Sequence, residues 1–213
     1  MRAVDLAVAQ SALAKARTTL HEIDRATVLA ALSRHADAAV ATIAHEYSKS
    51  VDEGSERELP GPTGERDSWR LEPRGLAVAL GGRGDQPAIW LGQALAAVAA
   101  GDPVLLVSDG DPAAATTVAA LVRGAGWPAI AAASDSEGRW SAIPELSAVI
   151  VGDAGLAARA TKMVAARSGA RIPVVEPAGA PWRYPTWRLA TERCVSVNTV
   201  AAGGNAYLLA QID

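Results

Sequence analysis

Residues 74–107 read RGLAVALGGRGDQPAIWLGQALAAVAAGDPVLLV. Leu76 to Leu80 is a short unbroken apolar run stopped by Gly81-Gly82. A helical pattern follows from Ala88 to Ala100, with Ile89, Leu91, Leu95 and Val98 among alanines. Gly101-Asp102-Pro103 ends it, and Val104 to Val107 is a second apolar run. A strand covered on both faces reads as continuous apolar sequence, and parallel neighbours need a helical crossover. The stretch is therefore a βαβ unit, right-handed by default.

Downstream the alternation continues. A helix is expected over 113–123, a weak strand over 130–133, a stronger one over 147–151, a helix over 156–167 and a strand over 172–175. This predicts a doubly wound parallel α/β sheet of Rossmann type. Upstream, residues 5–48 are helical in pattern. Leu6, Leu13 and Leu20 form one stripe, and Asp24 caps a second helix continuing through Val28, Leu32, Val40, Ile43 and Tyr47. Such twin helices suit either a coiled hairpin or a docking surface. Residues 48–70 are polar and interrupted by Pro60 and Pro62, and their charged run 52–58 reads as a solvated linker. Trp69 and Leu71 suggest an edge strand or turn. In the tail, the β-capable runs 194–200 and 206–209 flank Ala201-Ala202-Gly203-Gly204-Asn205, as a hairpin would, either an arm that adds to a neighbouring sheet or an edge hairpin of the same sheet. The expected division is a helical segment 1–50, a linker and edge strand 51–70, an α/β domain 71–190 and a hairpin flap 191–213.

Composition narrows the function classes. Among 213 residues half are hydrophobic, phenylalanine is absent and the net charge is −3, so no nucleic-acid footprint is present. No apolar run reaches a membrane span, no signal-peptide profile opens the chain, and the single cysteine fits a reducing compartment. A cytoplasmic location is the expectation. His21, His35 and His45 have no i, i+4 pairing and no acid or cysteine completing a set, so no metal site is expected. Cys194, alternating in a β-run far from any histidine, has no nucleophile's setting. The glycine-rich loop has only Gly82-x-Gly84, with Pro87 at the third-glycine position, so the dinucleotide fingerprint is incomplete.

Several motifs carry a family resemblance. Pro87-Ala88-Ile89, Leu91-Gly92-Gln93 and residues 99–105 (AAGDPVL) resemble the nicotinamide-binding domain of aldehyde dehydrogenases. Residues 59–66 (LPGPTGER), 70–75 (RLEPRG) and 196–206 (SVNTVAAGGNA) resemble the bifunctional proline utilization flavoenzymes (PutA), over roughly residues 59–213. The last motif is similar to the ending of the family's long members, a non-catalytic domain of aldehyde dehydrogenase-like fold. The resemblance implies an FAD- and NAD-dependent parent enzyme that oxidises proline and then glutamate semialdehyde.

The departures from the family pattern are chemical. Where aldehyde dehydrogenases carry Trp-Asn-Phe-Pro, with an asparagine holding the oxyanion, this chain has Gly84-Asp85-Gln86-Pro87, and the Asp85 carboxylate would repel it. The ribose-binding Lys-Pro becomes Val107-Ser108, and the phosphate turn Phe-Thr-Gly-Ser becomes Ile150-Val151-Gly152-Asp153. Glu176 matches the general-base glutamate, but the cysteine-bearing catalytic domain does not follow it. The resemblance thus implies no catalytic residue and no cofactor for this chain itself, with Asp85, Val107, Gly152 and Asp153 as degenerate cofactor positions. Its implied partner is an aldehyde dehydrogenase catalytic domain, in the same parent chain or in trans. Asn198, Thr199, Gly203, Gly204 and Asn205 would be the interaction residues, with self-association through the hairpin a further option. The expected role is a structural domain that covers the passage between two active sites. The alternatives are a module that binds NAD, with residual semialdehyde dehydrogenase character and Gly152 at its anion site, and a remnant without function.

Overall fold

The structure is a computed structural model that describes residues 5–51, 55–61, 64–81, 86–180 and 182–198. The quoted stretch folds as its pattern requires. Strand β3 (Leu76–Gly81) is buried throughout, helix α4 (Pro87–Ala100) crosses over, and β4 (Val104–Ser108) returns parallel to β3. Gly101 ends α4 at φ +89°, where a side chain would be strained and the missing Cβ also avoids Pro73. Helix α5 (Ala113–Gly124), β5 (Ile130–Ser134), β6 (Leu146–Val151), α6 (Ala154–Ala165) and β7 (Val174–Val175) complete the unit. The sheet order is β5-β4-β3-β6-β7, all parallel, so the winding reverses between β3 and β6. Helix α6 starts two residues before the expected position because Asp153 caps it. Strand β7 is shorter than expected, although the Pro173 carbonyl still accepts from Val149 N at 2.9 Å.

Helix α4 is buried from Trp90 through Ala100, which is why it is apolar all round. One side meets the sheet. The other meets α2 (Arg25–Leu32) and α3 (Ala38–Ser48), whose Val28, Leu29, Leu32, Ile43, Ala44 and Tyr47 join the same core. Helix α1 (Leu6–Arg17) lies on the opposite face, burying Leu6, Ala9 and Leu13 with Val78, Leu105 and Ala131. The N-terminal helices therefore do not pair as a coiled hairpin; they straddle the sheet. The second expected helix is also two. Its first part stops at Leu32, where the Ser33 hydroxyl donates back to Leu29 O, and Asp37 accepts from Ala39 N and Val40 N to open α3.

The run expected to be a linker supplies a strand. Strand β1 (Arg57–Leu59) pairs with β2 (Glu65–Pro73), and β2 pairs along nine residues with β8 (Ala190–Asn198), all antiparallel. Trp69 and Leu71 thus lie in the central strand, not at an edge. This sheet is solvated on both sides, so it shows no apolar alternation. Charge pairs on its surface take that place: Arg193 of β8 reaches across to the Glu72 carboxylate at 3.0 Å, and Arg70 reaches it along β2 itself at 2.6 Å. Arg70 is the main cause holding the Glu72 carboxyl below its usual range. The pairing of β8 with β2 revises the expected arm. The strand begins at Ala190, four residues early, and joins neither edge of the parallel sheet. The expected turn and return strand, with Thr199, Gly203, Gly204 and Asn205, lie outside the described residues.

Candidate functional site

In a doubly wound sheet the crevice outside the carboxyl ends of the strands, at the point of reversal, is the ligand site. Here Leu80, Val107 and Val151 stand level on β3, β4 and β6, with Gly81, Ser108 and Ser134 in the next row. The sequence-predicted positions Val107, Gly152 and Asp153 therefore do come to one end of the sheet. Asp85 lies outside the described residues. Glu176 follows β7 on the sheet's edge and is exposed. Asn198 ends β8 opposite Glu65, in the other sheet.

The described residues leave little space in the crevice. Among the described residues, the space bounded by Leu80, Gly81, Val107, Asp109, Asp135, Trp140, Leu156 and Arg159 is a cavity of about 20 Å³. Small-molecule sites run to hundreds of cubic ångströms. Trp140 does much of the filling. It sits in a 3-10 turn, Arg139–Ala142, and is buried because Asp135 at the end of β5 accepts from Trp140 N at 2.7 Å. The same carboxylate accepts from Glu137 N at 3.2 Å and from Arg139 Nε at 3.4 Å. Sequence analysis missed Asp135 and Trp140. The signal available was an acid just after the third strand, in Ser134-Asp135-Ser136.

The helix termini that would face a pyrophosphate are occupied or unhelpful. The Asp153 carboxylate accepts from Leu156 N at 2.9 Å, so the N-terminus of α6 already holds an anion, its own. Gln86 at the start of α4 makes no side-chain capping bond, and Pro87 removes one donor from the first turn. Behind it Gln93 is fully buried, donating from Nε2 to Leu80 O at 3.1 Å while its Oε1 has no partner. The ribose position after β4 is a tight turn. Ser108 Oγ accepts from Gly110 N and donates to Asp111 O, and Asp109 Oδ1 is buried without a partner. Asp109, Asp111, Asp135, Glu137 and Asp153 give this end of the sheet a negative field, against Arg139 and Arg159. Cys194 is exposed on β8 opposite Trp69, and no group of three or more His, Cys, Asp or Glu able to hold a metal occurs among the described residues.

No protein-family model matches the chain. It is 34% identical over 179 residues to the bifunctional protein PutA of Salmonella typhimurium, covering 80% of this chain and 12% of that protein. The bifunctional protein PutA of Escherichia coli is 33% identical over 164 residues, 77% of this chain and again 12% of its own length. Among solved structures, a variant of Bradyrhizobium japonicum proline utilization A matches 84% of this chain and 23% of its own, with TM-score 0.70 and 24% identity. An aldehyde dehydrogenase of Brucella melitensis biovar abortus 2308 matches 83% of this chain and 45% of its own, with TM-score 0.62 and 15% identity. The structural matches speak for the fold, and the sequence matches speak for descent. The chain is homologous to a segment of the bifunctional PutA proteins, a segment whose fold is that of the aldehyde dehydrogenases.

Proposed function

We propose that this chain is a structural, non-catalytic domain that docks on the aldehyde dehydrogenase domain of a bifunctional proline-catabolic enzyme and helps cover its substrate channel. The observation that carries this reading is the closed crevice. Among the described residues a cavity of about 20 Å³, with Asp109 and Asp135 in its wall and Asp153 capping the adjoining helix α6, argues against NAD at this end. Glu176, the match to the family's general base, is exposed and has no thiol partner, since Cys194 lies in the other sheet.

Docking draws support from β8. Among the described residues it is an edge strand, exposed along nearly its whole length, with Val197 half exposed. Such a strand is a template for pairing with another sheet. The partner is an aldehyde dehydrogenase catalytic domain, in one chain with this domain or in trans, and Asn198 at the end of β8 belongs to the contact.

Two measurements test the two halves. Calorimetric titration with NAD is expected to give no saturable heat up to about 1 mM; binding at about 1 μM would reverse the reading and make the chain a nucleotide module. Mixing with a separately produced PutA aldehyde dehydrogenase domain is expected to give a complex that is lost when residues 194–213 are deleted. An unchanged complex after that deletion would rule out the β8 arm as the docking element.

A further inference from the structure

The space missing at the carboxyl end of the sheet is found at its amino end. Three cavities of about 410, 420 and 700 Å³ lie where the strands begin, lined by residues that precede them: Gly75, Pro103, Trp127, Glu145 and Pro173. Neighbouring cavities share walls, the first two through Arg17 and Pro103, the last two through Arg74. In a chain of net charge −3, this end gathers Arg17, Arg25, Arg74, Arg167, Arg171 and Arg188. The molecule's polarity is reversed relative to a nucleotide-binding sheet.

The cavity of about 420 Å³ is the most strongly built of the three. Its polar walls are Arg17, His21, Arg25, Arg74 and Trp127, and no acid lines it. Arg25 is held in place by donating to Ala99 O at 2.8 Å, and Arg74 by donating to Ala190 O at 3.3 Å. The Arg17 side chain makes no hydrogen bond or ion pair among the described residues, and the Trp127 indole N–H is buried without an acceptor. Two negative groups stand nearby. Glu22 faces His21 at 3.8 Å, and Asp102 turns one oxygen to Gly75 N at 2.9 Å, behind the wall. Guanidinium forks match carboxylates and phosphates in shape and charge, and neither nearby acid uses Arg17.

We propose that this cavity, walled by Arg17, His21, Arg25, Arg74 and Trp127, is a binding site for a small molecule carrying a carboxylate or phosphate group. The site is on the far side of the sheet from the closed crevice, so it stands whether or not the domain docks as proposed above. Titration of the full chain with succinate and, separately, inorganic phosphate tests it and tells the two chemistries apart. One of them is expected to bind saturably below about 10 mM, and to shift the Trp127 indole N–H resonance in nitrogen-15 spectra. Arg17→Gln, which breaks no bond in the fold, should weaken that binding about tenfold, and adding Arg74→Gln should remove it. Arg171→Gln, in the neighbouring groove, should leave it unchanged. Absence of saturation by both anions, an affinity indifferent to Arg17→Gln with Arg74→Gln, or binding confined to long acidic peptides would overturn the proposal.

Discussion

Gly92 sits in the middle of a helix, where alanine is ordinarily better by about 1 kcal/mol. A Cβ there would lie 2.0 Å from the Trp182 carbonyl oxygen, because the segment leading to β8 crosses α4 at this point. Trp182 is also tied from the other side, where the Tyr47 hydroxyl donates to its carbonyl at 2.9 Å and accepts from Tyr184 N at 2.8 Å. The segment cannot give way freely, so overlap wins over propensity. Gly92→Ala is expected to destabilise the fold by about 1–3 kcal/mol in urea denaturation. Asp102 makes a different prediction. Burial pushes its carboxyl up to about 8, and one of its oxygens has no partner. A folded-state value above the ordinary 3.8 means the protonated form is the better-tolerated one. The contribution is full below about pH 4 and is lost as pH rises through 8. Asp102→Asn cannot ionise, so its melting temperature relative to the parent should climb from pH 4 to 8 and level off above. A difference that stays flat across that range would show the carboxyl to be ionised and satisfied.

At the scale of elements, the cap on α6 separates two roles for one residue. Asp153→Ala should cost about 1 kcal/mol, read as a shift in denaturation midpoint, because Leu156 N loses its acceptor. It should not confer NAD binding, since Trp140 and Leu156 still fill the crevice. Saturable NAD binding by that variant would mean that charge, not volume, closes the site. The five parallel strands and their helices were legible in sequence because both faces of the sheet are covered, and burial writes itself as unbroken apolar runs. Val107, Gly152 and Asp153 were singled out by the resemblance to the aldehyde dehydrogenase motifs, and the apolar runs then placed them at one end of the sheet. What escaped was set by polar contacts. The break between α2 and α3 depends on the Asp37 cap, and β2 and β8 are joined on a solvated sheet by Arg193 and Glu72, with Arg70 beside them on β2. The burial of Trp140 depends on the hydrogen bond that its backbone N–H donates to a carboxylate five residues away. None of these leaves a periodic apolar signature.

For the whole molecule, the two ends of the parallel sheet carry opposite characters: a filled, acidic carboxyl end and a hollow, arginine-lined amino end. No helix among the described residues is long and apolar enough to cross a membrane. The two sheets differ as well, one buried within a single stretch of chain, the other joining segments from either side of it. Deleting residues 190–213 should therefore leave the parallel sheet folded, with helical circular dichroism retained and a lowered melting temperature. Collapse of the whole fold would mean that β8 is integral to the core. The nine-residue pairing of β2 with β8 also sets an order of events as the polypeptide emerges from the ribosome. Strand β2 is made before the parallel unit, and its partner only after it, with more than a hundred residues between the nearest paired positions, Pro73 and Ala190. Closing so long a loop is entropically slow until its interior has condensed. Until then β2 presents an open flank carrying Trp69 and Leu71, a transient opening for pairing with another nascent copy.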